Sequence, residues 1–170
     1  MVEELIRFYE EAGYEVSTPD GLAEQIAEEI FRANDLNPDL NIVVVKGEFS
    51  REAAYCPPTQ SQPEHIFIPS PADLWASLFC HELGHYLAFR TNPICRFYMK
   101  YLASPWLLPL LLLLSLILAI LPPQPLGILA FIPVLLYIAL YTYNEAVAER
   151  TGKRLYEHWL ELRTDKNFKA

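Results

Sequence analysis

The chain has 170 residues, of which 52% are hydrophobic and 20% are charged, and its formal net charge is −8. This length suits one domain with a modest core. Residues 1–50 hold twelve Asp and Glu against three Lys and Arg, so they lack the clustered basic side chains of a nucleic-acid-binding surface. Three cysteines are too few and too scattered for a disulfide framework, and we predict that they are reduced thiols.

Two helices are predicted near the N-terminus. Apolar residues recur at helical spacing between Val2 and Tyr9, which is typical of a short amphipathic helix. A second helix is predicted from Pro19 to about Ala33, because proline suits a first helical turn. Its predicted buried residues are Leu22, Ile26 and Ile30. The acidic N-terminus lacks the basic start and apolar core of a signal peptide, so we expect this segment to stay in the cytosol.

Three segments predict a short mixed β-sheet. Asn41–Lys46 is rich in β-branched residues, and Ala53–Cys56 is a weaker strand candidate that ends at two prolines. His65–Pro69 is the third candidate. Because proline cannot donate a hydrogen bond to a neighbouring strand, we expect this third strand at the edge of the sheet.

A helix is predicted directly after the third strand. Ser70, Pro71 and Asp73 form a favourable helix start, with serine as the N-cap and aspartate three residues later. Leu74 and Leu78 then begin an apolar stripe at helical spacing. The stripe predicts which face of this helix points inward.

The same stripe leads into an HExxH motif, residues 81–85. Residues four apart share a helix face, so His81 and His85 can both reach one metal ion. Glu82 lies beside them, where its carboxylate can take a proton from a water that the metal activates. Gly84 costs helix propensity but lets another segment approach closely. The motif therefore predicts a catalytic metal site, for which zinc is the expected metal.

A long uncharged stretch follows, since no charged residue occurs between Lys100 and Glu145. Residues 105–121 and 126–143 are almost wholly apolar, and prolines at 122, 123 and 125 separate them. Each segment reaches the lower length limit for spanning a bilayer, roughly 17–25 residues. We therefore predict a two-helix transmembrane hairpin. The basic residues that flank both of its ends predict that both chain termini and the metal site are cytoplasmic.

Two histidines leave a catalytic zinc one protein ligand short. After the uncharged stretch, Glu145 and Glu149 are four residues apart and share one face of a predicted helix that reaches about Leu162. One of them can bind the metal, while the other can support a ligand histidine through its second ring nitrogen.

HELGH followed at a distance by ExxAE, with a strand just before the metal helix, resembles the gluzincin metallopeptidases. Similar features occur in the compact minigluzincins and in membrane-bound members of the group. The resemblance covers roughly residues 41–90 and 144–156. One departure is Glu149, where many members carry aspartate.

The resemblance implies His81, His85 and Glu145 as zinc ligands, Glu82 as the general base and acid, and Glu149 as a supporting residue around the metal. It also implies that an extended peptide or protein substrate pairs with the strand that contains His65, Ile66, Phe67 and Ile68.

Three alternatives are weighed against a surface peptidase. A site-2-protease-like intramembrane peptidase is disfavoured, because no aspartate lies in the predicted hairpin. A non-proteolytic zinc protein is disfavoured because a structural site does not need Glu82 and normally has four closed ligands. A latent enzyme remains open, with residues 163–170 lying in its own cleft.

The predicted fold is therefore α+β, a small zincin-like domain interrupted by a membrane hairpin. Residues 1–100 would form its N-terminal part, 101–143 the hairpin, and 144–170 the glutamate helix. The predicted function is that of a membrane-anchored, zinc-dependent endopeptidase, and the predicted partners are a peptide or protein substrate and the lipid bilayer.

Overall fold

A computed structural model describes residues 2–36, 40–46, 53–60, 62–70, 75–120, 129 and 131–165. Their elements, in chain order, are α1 (Val2–Glu11), β1 (Glu15–Ser17), α2 (Gly21–Ala33), β2 (Asn41–Lys46), β3 (Ala54–Cys56), β4 (His65–Ser70), α3 (Trp75–Thr91), α4 (Pro93–Tyr101), α5 (Leu107–Ile120) and α6 (Ile132–Thr164). The described part of the chain is therefore an α+β fold. It forms two compact units, residues 1–87 with 148–170 and residues 88–147.

The two N-terminal helices of the first unit form where the sequence predicts them. α1 buries Leu5 against a cluster that includes Val16, Val43 and Val45. In α2, Ile30 is buried as predicted, but Leu22 is 65% exposed and the buried face is completed by small residues, Ala27 and Ala33. The sequence analysis missed β1, which has only three residues and is too short for a period-two pattern to be recognised.

The sheet of the first unit is mixed, with strand order β1-β2-β4-β3 among the described residues. β2 and β4 are parallel, whereas β1 and β3 are antiparallel to their neighbours. The predicted edge position of the His65–Pro69 strand is therefore wrong. β4 pairs with β2 along its whole length and with β3 over His65–Phe67. Among the described residues, the pairing of β3 with β4 reaches only to Phe67 and does not include Pro69.

The helix that carries HExxH is described from Trp75 to Thr91. Its predicted start at Pro71 to Leu74 lies outside the described residues. Phe79, Cys80 and Leu83 are fully buried on this helix. The ring of Phe79 stacks on Trp75 and meets Phe31 of α2 edge-on, so aromatic packing fixes α3 within the first unit.

The second unit begins with a helix that the sequence analysis did not predict. α4 starts at Pro93, and the side chain of Asn92 caps it by accepting hydrogen bonds from the amides of Ile94 and Cys95. Asparagine as N-cap with proline at the first helical position is a recognised start signal. Tyr98 of α4 packs against the rings of Tyr137 and Tyr141, which attaches α4 to the first half of α6.

Among the described residues, no helix combines the length and the apolar content needed to cross a membrane. The predicted transmembrane hairpin is therefore wrong, and so is the predicted location of the chain as a two-pass integral membrane protein with cytoplasmic termini. α5 has 14 residues, about 21 Å at 1.5 Å per residue, against a hydrocarbon core of about 30 Å. The predicted turn at 122–125 lies outside the described residues. The prediction of a lipid bilayer as partner rested on that hairpin and stays a prediction.

The second apolar segment is part of a longer helix, because α6 runs without interruption for 33 residues. The sequence analysis divided this stretch at Asn144, where the composition changes from apolar to charged. Composition does not end a helix without a capping residue or a proline. The continuous backbone places Glu145 and Glu149 on successive turns of one helix.

Candidate metal centre

The helices α3 and α6 meet at two glycines within the first unit. A Cβ on Gly84 would lie 2.2 Å from the carbonyl oxygen of Ala148, and a Cβ on Gly152 would lie 2.6 Å from the carbonyl oxygen of Cys80. Each helix therefore presents a glycine to the backbone of the other. The predicted close approach at Gly84 is confirmed, and its partner Gly152 was not anticipated.

The crossing brings the predicted ligands together. His81, His85 and Glu145 offer ligand atoms that all lie within 4.8 Å of one another, so this group could hold a metal ion. The imidazole rings of His81 and His85 are 4.9 Å apart and nearly perpendicular, as expected for residues one turn apart on α3. His85 is buried, whereas His81 and Glu145 are half-buried.

Glu149 lies against the first of these histidines. The Nδ1 atom of His81 is 3.1 Å from the Oε2 atom of Glu149. A carboxylate only accepts hydrogen bonds, so Nδ1 carries the proton and Nε2 has the lone pair that a metal requires. This contact is the one expected of a residue that orients a ligand histidine. The supporting role of Glu149 stays a prediction.

Glu82 lies on the sheet side of α3 and is buried. Its Oε2 atom accepts a hydrogen bond of 2.6 Å from the backbone amide of Tyr55 in β3. That amide therefore points toward α3 rather than into the ladder between β3 and β4. Because β3 is the outermost described strand on this side of the sheet, the Glu82 carboxylate lies at a strand edge.

The predicted substrate strand is in the interior of the sheet. His65, Ile66 and Ile68 are fully buried, and Phe67 packs in the cluster under α1. His65 is held by two hydrogen bonds, because its Nδ1 atom donates to the Pro63 carbonyl and its Nε2 atom accepts from the Tyr9 hydroxyl at 2.7 Å. Burial lowers the pKa of His65 below its ordinary value of 6.5. The predicted contact of these residues with a substrate is untested, but its premise of a free edge on β4 does not hold.

The three cysteines all lie in the described residues and are free thiols, as predicted. Burial raises the pKa of the Cys80 thiol to about 12. Burial also raises the pKa of Cys56, whose thiol is in hydrogen-bond contact with Tyr9. Among the described residues, Cys56 does not belong to the group of potential ligands.

Sequence reasoning missed two residues that shape this site. Tyr55 belongs to a strand of three residues, and no pattern indicates that its amide meets Glu82. Gly152 ends the string ExxAExxG, and its three-residue spacing from Glu149 was visible. A glycine inside a predicted helix, which costs about 1 kcal/mol relative to alanine, was the available signal of a close helix contact.

Comparison with known proteins adds no assignment. No protein-family description matches the chain, and neither a curated protein nor a solved structure shows significant similarity to it.

Proposed function

We propose that this chain is a metal-dependent endopeptidase of the gluzincin type. The observation that carries the proposal is the arrangement around α3. Two histidines and a glutamate could hold a metal ion, and the glutamate between the histidines lies at a strand edge. A site that served only to stabilise the fold would not need a carboxylate there in addition to the ligands.

Zinc fits the donor set best. Two imidazoles and one carboxylate are three protein ligands, the number that leaves a catalytic zinc one position for a reactant. Ligand atoms on one tetrahedral zinc are roughly 3.3 Å apart, given bonds of about 2.0–2.1 Å. The observed atoms lie within 4.8 Å, so small side-chain adjustments close the site. When bound, zinc would polarise a peptide carbonyl and bring the pKa of a water near 7.

The chain's own residues then have distinct tasks. Glu82 accepts the proton of the attacking water and passes it to the nitrogen of the leaving amine. Its burial places this proton transfer away from bulk solvent. Glu149 holds the Nδ1 proton of His81 and thereby keeps the Nε2 lone pair directed to the metal.

The position of β3 suggests how a substrate binds. Because β4 has partners on both sides, an extended peptide cannot add to it over His65–Phe67. An added strand would instead pair with β3, beside Glu82. The proposed substrate is therefore an extended peptide or protein segment, and main-chain hydrogen bonds would provide most of its affinity.

A second candidate is a latent or non-proteolytic zinc protein. The amide of Tyr55 already donates to Glu82, so an incoming peptide competes with Glu82 for this part of the β3 edge. A hydrogen bond from the Tyr55 amide to Glu82 that excludes the substrate is expected of an enzyme in an inactive state. This candidate predicts metal binding without cleavage.

The test uses the full chain and two measurements. We expect the purified protein to bind about one equivalent of zinc and to cleave members of a fluorogenic peptide library. Glu82→Gln should abolish cleavage and leave the zinc content unchanged. Cleavage that persists in Glu82→Gln contradicts the mechanism, while full zinc occupancy without cleavage by the unaltered chain favours the latent candidate.

A further inference from the structure

A chain of hydrogen bonds connects the centre of the sheet to Glu82. The carbonyl oxygen of Glu64 accepts hydrogen bonds from the backbone and side-chain nitrogens of Asn41, at 3.4 and 3.1 Å. The carboxylate of Glu64 accepts a hydrogen bond of 2.5 Å from the hydroxyl of Tyr55. The amide of Tyr55 then donates to Glu82. The links thus run from β2 through Glu64 and the edge strand β3 to the helix α3.

These groups are all removed from solvent. Glu64 is 7% exposed, Glu82 is 5% exposed and Tyr55 is 9% exposed. Two buried carboxylates at opposite ends of one tyrosine carry a considerable desolvation cost. If Tyr55 only filled the core, neither the Glu64 nor the Glu82 carboxylate would be needed beside it.

The ring of Tyr55 has a further contact on α3. It meets the ring of Tyr86 edge-on, with 5.9 Å between the centroids, and Tyr86 directly follows the predicted ligand His85. The hydroxyl bond to Glu64 and the ring contact fix the side chain of Tyr55 at two points. These two contacts restrain the backbone amide of Tyr55 as well, although β3 is short and its outer edge has no described strand beside it.

We propose that Tyr55, held by Glu64, is a positioning residue that sets the orientation of the Glu82 carboxylate. The amide holds the Oε2 atom, and this fixes the direction of the second oxygen. Proton transfer is sensitive to such orientation, and misplacement by about 1 Å can cost a hundredfold in rate. The inference rests on the proposed role of Glu82 as general base, and it requires that a substrate strand on β3 leave the Tyr55 amide bonded to Glu82.

The kinetic test compares four variants with the unaltered chain. Tyr55→Phe and Glu64→Ala should each lower kcat about ten- to a hundredfold, with KM and zinc content unchanged. Glu64→Gln retains an oxygen that accepts the Tyr55 hydroxyl, so it should recover most of the activity. The matched control is Tyr9→Phe, which removes a part-buried tyrosine hydroxyl bond on the opposite face of the sheet. If Tyr9→Phe lowers kcat as much as Tyr55→Phe does, general destabilisation explains the loss of activity and the inference is overturned.

A second measurement does not depend on catalysis. In the ¹⁵N-labelled protein, the amide proton of Tyr55 should resonate downfield, because it donates to a carboxylate at short distance. It should move upfield in Glu82→Gln and in Glu64→Ala, and not in Tyr9→Phe. If the chain cleaves no peptide, the proposed function fails, but this resonance still decides whether Glu64 holds Tyr55 on Glu82. If the chemical shift of the Tyr55 amide proton is the same in Glu64→Ala and in Glu82→Gln as in the unaltered chain, the positioning role is overturned.

Discussion

Gly84 of α3 lies directly against the carbonyl oxygen of Ala148 in α6, where a Cβ would come within 2.2 Å of that oxygen. Gly152 of α6 in turn lies against the carbonyl oxygen of Cys80 in α3. Both obstacles are backbone atoms, so neither can turn aside as a side chain could. The separation of the two helices at this crossing, and with it the contact of Glu149 with His81, is determined by these two residues.

We therefore expect Gly84→Ala and Gly152→Ala to weaken both folding and metal binding. Alanine gains about 1 kcal/mol of helix propensity, but forcing atoms into a filled contact typically costs about 1–3 kcal/mol, and backbone obstacles place these sites at the upper end. The midpoint of urea unfolding and a chelator-competition measurement of zinc affinity test this. Lys153→Ala, at an exposed position beside Gly152, is the control and should change neither.

The two glutamates of α6 should differ in their effect on zinc. Glu145→Ala removes a ligand of the group and should reduce affinity more than Glu149→Ala, which removes only the partner of His81. Loss of such a partner typically costs 10–100-fold in affinity. Glu157→Ala, an exposed carboxylate on the same helix, should have no effect. The opposite order, with Glu149→Ala the weaker binder, would refute the ligand assignment.

Burial of His65 predicts a dependence of stability on pH. Its pKa in the folded state is lowered by burial, so between that value and 6.5 the unfolded chain binds a proton that the folded chain does not. The stabilising contribution is complete above pH 6.5 and is lost as the pH falls below it.

Urea unfolding of the metal-free protein between pH 5 and 8 measures this dependence. The difference in unfolding free energy between the unaltered chain and His65→Gln should shrink as the pH is lowered through this range. The two proteins differ only at residue 65, so the contributions of all other residues cancel in the comparison. A difference that is constant across the range would mean that His65 is protonated equally in both states.

The cysteines should be protected by the fold. Thiolates are the reactive form of cysteine, and burial raises the pKa of Cys80, Cys95 and Cys56. With a disulfide reagent at pH 8, the folded chain should react far more slowly than the chain in urea. Cys56 should react first, since it is half-buried while the other two are buried. Mass spectrometry locates the modified thiols, and early modification of Cys80 would show that α3 opens readily.

Local pattern was sufficient for most single elements of this chain. Helical spacing identified α1 and α2, and β-branched residues identified β2. HExxH alone predicted that His81 and His85 share a face, because four residues are close to one helical turn. These features depend on neighbours in sequence, and no tertiary contact overrides them.

The membrane hairpin shows where local pattern misled the prediction. Residues 105–143 are apolar enough to suggest two spanning helices, yet no helix of the described residues is long and apolar enough to cross a membrane, and the second apolar segment continues into the polar half of α6. Composition reports which solvent a side chain favours, but helix ends depend on capping and on contacts elsewhere in the chain. For the same reason, composition did not indicate that α6 is one continuous helix.

The sequence by itself determined the chemistry available to this protein: two histidines one turn apart, a carboxylate between them, and two further glutamates at helical spacing. Only the tertiary structure decided that Glu145 joins His81 and His85, that Glu149 meets His81, and that β3 rather than β4 lies at the sheet edge beside Glu82. The physical reason is that these contacts join residues 27 to 68 positions apart. The contact of Glu149 with His81 depends on how Gly84 and Gly152 let two helices approach, and no periodicity in the chain records that approach.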